Sequence, residues 1–494
     1  MAFPADRAVG MAARAADARH HEARLGPRTR YACPMPTNAT HDANLKSWVE
    51  SANDPRSDFP IQNLPLCAFV TQHNGHSHAH LGVAIGDSIL DVSMLAETGF
   101  FDDGVGEGAE NLRRMLHMPF WDGVASTPGV ASYLRQRVQA FLNAETSVGQ
   151  QGRRLRAKAL VPLAGTPLIA PMRMFNYSDF YASIHHATTV GSMFRPDHPL
   201  LPNYKHVPIG YHGRASSIVV SGAEVRRPRG QRPPPDDQPS GAPTFGPCTM
   251  LDYELEVGVL VGAGSRMGEP IPIAEAPSHM LGICLVNDWS ARDIQKWEYQ
   301  PLGPFLAKNF ATTVSPFIVT MEALEPFRCA ACPRPEGDPA PLPYLVDESD
   351  RARGGIDLTL EVRLSSAQMR EKNIDAITLS KSGAFKEMYW SFAQMLAHHT
   401  SNGCNVLPGD LLACGTVSGR EPSERGCMLE LTWAGRGSDG KPLPRKPVEL
   451  PTGEKRTFLQ DDDEVIMTGY AEREGFRRIG LGECRGVITP AIEA

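Results

Sequence analysis

The chain has no uninterrupted apolar run approaching the ~20 residues needed to span a bilayer, which argues against a membrane-embedded protein. An excess of positive charge is also missing: 49 basic and 56 acidic residues leave a formal net charge of −7, so nothing calls for nucleic acid or an anionic membrane as partner. A small molecule is the expected ligand. No Gly-rich phosphate loop occurs. The ten cysteines are scattered and form no disulfide framework, which fits reduced thiols in a cytoplasmic setting. Cys329 and Cys332 make the only Cys-x-x-Cys, in a Pro- and Ala-rich stretch without a second pair or nearby histidines, and it is read as incidental.

What is present has the composition of a soluble globular protein, and 494 residues suggest two structured domains. Residues 1–46 show no sustained apolar period and are read as a disordered, dispensable extension: truncation before Ser47 is expected to leave activity and stability nearly unchanged. Their arginines resemble a transit peptide, but Asp6, Asp17 and Glu22 break that pattern, and Met35 serves equally well as a start. From 47 to about 170 short strand-like segments such as His80–Asp87 predict a small barrel, and helical spacing over Leu112–Met118 and Val130–Leu142 predicts helices after it. Residues 171–494 carry many short strand-like runs, namely Ser217–Val220, Leu251–Val261, Leu358–Leu364, Met428–Trp433 and Glu464–Thr468. A mainly β, sandwich- or roll-like domain is expected there, with 222–247 and 328–355 as long surface loops.

Three stretches carry chemistry. Met280–Val286 reads as a buried strand leading to Asp288, after which Ser290 and Asp293 suggest a capping box opening a helix. On that helix Arg292, Gln295 and Tyr299 share a face. In Leu251–Val257 the alternation would put Asp252, Glu254 and Glu256 on one side of a strand, where their repulsion requires either open water or a cation among them. Oxygen-only ligands favour Ca²⁺ or Mg²⁺. The third stretch brings Asp179, Tyr177 and Tyr181 close to the pair His185-His186. Periodicity alone does not choose between these histidines.

Taken together, Asp58-Phe59-Pro60-Ile61, Asp179-Phe180-Tyr181 with His186-Ala187-Thr188, Gly210 to Ser217, Leu251-Asp252 with Glu254-Leu255-Glu256, Asn287 to Tyr299 and Pro301 to Leu306 resemble the fumarylacetoacetate hydrolase family, in order from about residue 57 to the C-terminus. The resemblance implies an SH3-like β-barrel (47–170) followed by a β-sandwich roll (171–494), assembled as a homodimer. It implies hydrolysis of 4-fumarylacetoacetate to fumarate and acetoacetate, the last step of tyrosine and phenylalanine catabolism. Carried over by position, the metal carboxylates are Asp179, Glu254, Glu256 and Asp288, with a second cation near Asp288, Lys308 and Thr312. The base is His186, oriented by Glu430, with Arg292, Gln295 and Lys308 donating to developing charge. Substrate contacts fall on Tyr181, Arg195, Tyr211, Gln295, Tyr299 and Thr416. Asp252 is not among the family's ligands. Ala307 and Ala311 stand where the family usually has glycine, which matters if either position needs positive φ.

Two other readings remain in play. Acylpyruvate hydrolases and the decarboxylase/isomerases of hydroxylated dienedioates share the acidic set but usually lack the small N-terminal domain. A non-catalytic metal-binding scaffold would not need His186 and Glu430.

Overall fold

A computed structural model describes residues 37–73, 75–102, 108–235 and 240–493 of the chain. The apolar run read as a buried strand is the strand Met280–Asp288, buried along its whole length. It is central in an eight-stranded sheet and pairs antiparallel with Leu255–Val261, which is equally buried. Apart from Glu256, Asn287 and Asp288 both strands hold only apolar residues and glycine, because both faces of the sheet are covered. On one face Val257, Val259, Ile283 and Leu285 pack into a core shared with a five-stranded sheet that supplies Leu360, Val362, Val465 and Met467. On the other face Leu260, Cys284 and Val286 join a second core.

That second core belongs to the N-terminal part of the chain as much as to the large sheet, for it also contains Trp48, Leu81, Leu90, Trp121 and Phe141. Here Leu66–His73, His76–Ile85 and Ser88–Asp91 form an antiparallel meander, flanked by Leu160–Pro162 and Leu168–Ile169. The helical spacings appear as Ala109–Leu116 and Val130–Leu142. No described helix is long and apolar enough to cross a membrane.

Four sequence-based expectations need correction. The expected disordered extension falls in part outside the described residues, at 1–36, but residues 37–46 are built into the fold. Thr40 and His41 are buried; Asn38 Nδ2 donates to Glu322 Oε1 at 2.9 Å, and Arg135 Nε donates to Thr40 Oγ1 at 3.2 Å. This short polar segment docks by hydrogen bonds to distant residues, so it leaves no apolar period. Residues 222–247 are not simply loop: Glu224–Arg226 runs parallel to Ile479–Thr489, and Arg229–Arg232 pairs with Thr244–Pro247. Within 328–355, Arg328–Cys329 pairs with the strand Gly355–Ile356, and Glu348–Arg353 is a helix capped by Asp347. Finally, Met428–Trp433 is no strand; Met428–Leu431 is a helical turn.

Candidate active site and metal centre

The ends of the large sheet's strands bring four carboxylates together. Asp179 lies on Tyr177–Phe180, Asp288 ends the strand Met280–Asp288, and Glu254 and Glu256 flank Leu255, which pairs with Asn287. A ligand oxygen from each of the four lies within 4.8 Å of the others, and all four side chains are buried. Asp252 does not join them. The chain breaks from the strand after Asp252, and Leu251–Asp252 pairs separately with Ser290–Ala291. Because none of the three acids is exposed, the alternative of an open solvated face falls away.

The protein supplies this group with few donors. Tyr177 and Tyr211 hydroxyls donate to Asp179 Oδ2 at 3.1 and 3.2 Å, and Tyr211 also reaches Asp288 Oδ2 at 2.5 Å. Burial, with the neighbouring carboxylates, holds both phenols well above their usual range, so they stay donors. Lys308 Nζ bridges Glu254 Oε2 and Asp288 Oδ2 at 2.5 Å each, and Thr312 Oγ1 donates to Asp288 Oδ1 at 3.1 Å. Burial opposes charge on Glu254, but Lys308 and Arg292 outweigh it and hold that carboxyl low. Glu256 has neither oxygen partnered, and Asp179 Oδ1 is also alone. Burial, reinforced by the other acids, pushes both of these well above the usual carboxylate range. Buried orphan oxygens are costly, and a hard divalent cation would satisfy them; with no histidine or cysteine in the set, the donor chemistry suits an oxygen-seeking ion such as Ca²⁺ or Mg²⁺ better than zinc.

His186 and Glu430 form a second group. Ser183 caps the helix Ile184–Phe194, receiving the His186 N–H, so His186 sits in its first turn and turns inward. His186 Nδ1 lies 2.6 Å from Glu430 Oε2. The carboxylate accepts there, which leaves His186 Nε2 as the acceptor nitrogen. Glu430 is buried, which favours its neutral form, yet His186, the Ser418 hydroxyl at 2.6 Å and Arg425 together hold its pKa below the usual value. His185 points elsewhere, to Glu387 at 3.1 Å.

Arg292 opens the helix Arg292–Glu298, as expected, but without the proposed capping box: the N-cap is Ala291, Ser290 Oγ donates to the Asp288 carbonyl, and the Asp293 carboxylate accepts from the N–H and hydroxyl of Thr249. Arg292 Nη1 contacts Glu254 Oε1 at 2.8 Å and Gln295 Oε1 at 3.1 Å. Tyr181 meets His186 edge-on, with ring centroids 5.3 Å apart. Thr416 is buried, and Gly415 before it, at φ 79°, lets the chain pass the Phe180 carbonyl, where a Cβ would come within 2.1 Å. Arg195 lies at the other end of the His186 helix and donates to the Pro199 carbonyl; the Tyr299 ring lies tilted at 41° to that of Phe194, centroids 6.3 Å apart. These two are not in contact with the carboxylates. Ala307 and Ala311 do not have positive φ, so their methyl groups impose no backbone strain; Ala307 is buried, with its N–H on Glu298.

Ser418 and Arg425 were not singled out from sequence. Ser418 stands two residues after Thr416, but only the folded chain shows that its hydroxyl meets Glu430.

Residues 62–171 match the family described as Fumarylacetoacetase N-terminal, and residues 176–489 match Fumarylacetoacetate (FAA) hydrolase C-terminal. The chain is 46% identical over 449 residues to the fumarylacetoacetase of Bos taurus, covering 90% of this chain and 99% of that one. It is similarly 46% identical over 451 residues to the human fumarylacetoacetase, covering 90% and 99%, and 44% identical over 457 residues to that of Arabidopsis thaliana, covering 91% and 99%. Two consecutive family matches and these full-length similarities agree with the site geometry, and the chain belongs to the fumarylacetoacetate hydrolase family.

Proposed function

We propose that this protein is a metal-dependent hydrolase that cleaves 4-fumarylacetoacetate to fumarate and acetoacetate, in tyrosine and phenylalanine breakdown. The observation that carries the reading is the buried set Asp179, Glu254, Glu256 and Asp288, with orphan oxygens, in a chain 46% identical to a fumarylacetoacetase over 90% of its length and holding a His186–Glu430 dyad.

Water must become a nucleophile at neutral pH, and an enolate must be able to leave. His186 Nε2 takes the proton from water, and Glu430 stabilises the resulting imidazolium through Nδ1. Hydroxide bonds to the carbonyl carbon on the fumaryl side, the carbon-carbon bond breaks, and its electron pair leaves as the enolate of acetoacetate, which takes the proton on carbon from the His186 imidazolium and so returns the base to its neutral form. The four carboxylates would hold Ca²⁺ or Mg²⁺, which when bound would supply Lewis acidity toward the dicarbonyl. Arg292, Gln295 and Lys308 donate to the developing negative charge, and Lys308 stays cationic because Asp288 and Glu254 outweigh the effect of burial. Tyr181, Arg195, Tyr211, Tyr299 and Thr416 hold the substrate. The same reading would place a second cation near Asp288, Lys308 and Thr312.

The reading takes an SH3-like domain to about residue 170 and a sandwich roll beyond it; the boundary is supported by the family matches, the first ending at 171 and the second beginning at 176. The reading includes a homodimer in the cytoplasm; the cysteines among the described residues are all free. The test is a direct assay, following the loss of the conjugated dicarbonyl absorbance of fumarylacetoacetate. Turnover that disappears on chelation and returns with Ca²⁺ or Mg²⁺ is expected. No turnover of this substrate, together with turnover of an acylpyruvate, would move the protein to the neighbouring activity.

A further inference from the structure

Asp252 is fully buried, yet the metal reading leaves it without a task. Its strand pairs with Ser290–Ala291, immediately before Arg292. Its Oδ2 accepts from Arg292 Nε at 2.9 Å and from the Leu429 N–H at 3.0 Å. Its Oδ1 accepts from the Met428 N–H at 2.7 Å and from the Tyr253 N–H at 2.9 Å. A carboxylate has about four acceptor positions, and all are taken.

The donors come from two halves of the site. Met428 and Leu429 are the first residues of the turn Met428–Leu431, whose leading N–H groups have no partner within the helix. That turn carries Glu430. Arg292 is the other half: Nε is held by Asp252, Nη1 by Glu254 and Gln295, and only Nη2 remains, buried and without a partner. A guanidinium is planar and rigid, so fixing Nε and Nη1 fixes the direction of Nη2.

We infer that Asp252 is a positioning residue that joins Arg292 to the turn bearing Glu430, so that the charge-stabilising arginine and the dyad's acid are held in one frame. The inference rests on the hydrolase reading for the roles of Arg292 and Glu430. Asparagine cannot replace the acid: its NH₂ would face donors on whichever side it lay, since both oxygens of Asp252 receive N–H groups.

The test compares wild type, Asp252→Asn, Arg292→Gln and the double variant, each checked for metal content and melting temperature. In Asp252→Asn, kcat is expected to fall by about 10²-fold, as for a mispositioned catalytic group, with metal stoichiometry intact and KM within about threefold. Arg292→Gln in the Asp252→Asn background should cost far less than in wild type, because Arg292 is already displaced. A purely structural role would lower the melting temperature without separating kcat from KM. Wild-type kcat in Asp252→Asn, or losses that simply multiply in the double variant, would overturn the inference.

If Asp252→Asn does not fold, Met428→Pro against Met428→Ala decides. Proline is tolerated at the first helical position, Cys427 before it is extended at φ −154° and ψ 159°, and only the proline removes the N–H that reaches Asp252. The proline variant should lie about tenfold below the alanine variant in kcat; equal values would count against Asp252. A wild-type protein without turnover would overturn the hydrolase reading and this inference with it, whereas with active wild type the variants bear on Asp252 alone.

Discussion

His185 and His186 are neighbours on one helix, but a step of about 100° separates their directions. His186 meets buried Glu430, and His185 meets the more exposed Glu387. His186→Ala should therefore lose activity by about 10²-fold or more, while His185→Gln keeps most of it. The reverse pattern in measured turnover would reassign the base. At the carboxylates, Glu254→Gln and Asp288→Asn should abolish activity and weaken metal binding while the chain stays folded, to be followed by metal analysis and circular dichroism on the same samples. Full turnover by either variant at low metal would remove that residue from the site. From sequence, family motifs separated the two histidines where periodicity did not, because a helical repeat ranks faces without saying which face meets an acid 244 residues away.

The segment 37–46 is held to the fold by hydrogen bonds to residues far along the chain. Asn38, Thr40 and His41 are tied to Glu322 and Arg135, so a chain beginning at residue 47 should melt below one beginning at residue 37. Equal melting temperatures would show that the docking contributes nothing. The effect should depend on pH. His41 Nδ1 accepts the Asn38 N–H, and Nε2 must donate to the Glu322 carbonyl at 2.7 Å, so the buried ring is neutral. Burial lowers its pKa, despite help for the cation from the Glu322 carbonyl. The unfolded chain, with a histidine pKa of about 6.5, thus binds the proton first as pH falls. Stability from this histidine is complete above that value and is lost as pH drops through it toward the folded pKa. The melting difference between the two chains should narrow from pH 7.5 toward about pH 5.5; a gap that widens would contradict the neutral ring.

Across the whole molecule, the small N-terminal sheet and the large sheet share one core, and further ties join the segment before the small sheet to the C-terminal part of the chain. Phe59 packs on Phe317 with centroids 4.7 Å apart, Arg478 pairs with Asp58 at 2.8 Å, and Asn63 Nδ2 donates to the Gly480 carbonyl at 2.7 Å. Thermal unfolding should consequently show a single main transition rather than a separate melt of residues 47–170, a distinction calorimetry makes directly. Added Ca²⁺ or Mg²⁺ should raise that transition by selective binding to the folded state, about 2.7 kcal/mol at a hundredfold excess over Kd. No response of the melting temperature to either ion, or to chelation, would argue against the carboxylate set as a metal centre.

Sequence by itself determined the mainly β character, the buried strand before Asp288 and the helical spacing over 112–118 and 130–142, which follow from local periodicity, while motifs that keep their spacing, through the family resemblance, named the four carboxylates that cluster. Tertiary structure alone decided what Asp252 does, why Met428–Leu431 is a helical turn and not a strand, and that residues 37–46 are part of the fold. In each of these the deciding interaction is a hydrogen bond between residues tens to hundreds of positions apart. Such a bond leaves no repeat in the chain: Leu-Asp-Tyr-Glu reads as an alternating strand until the Met428 and Leu429 N–H groups arrive to claim the aspartate.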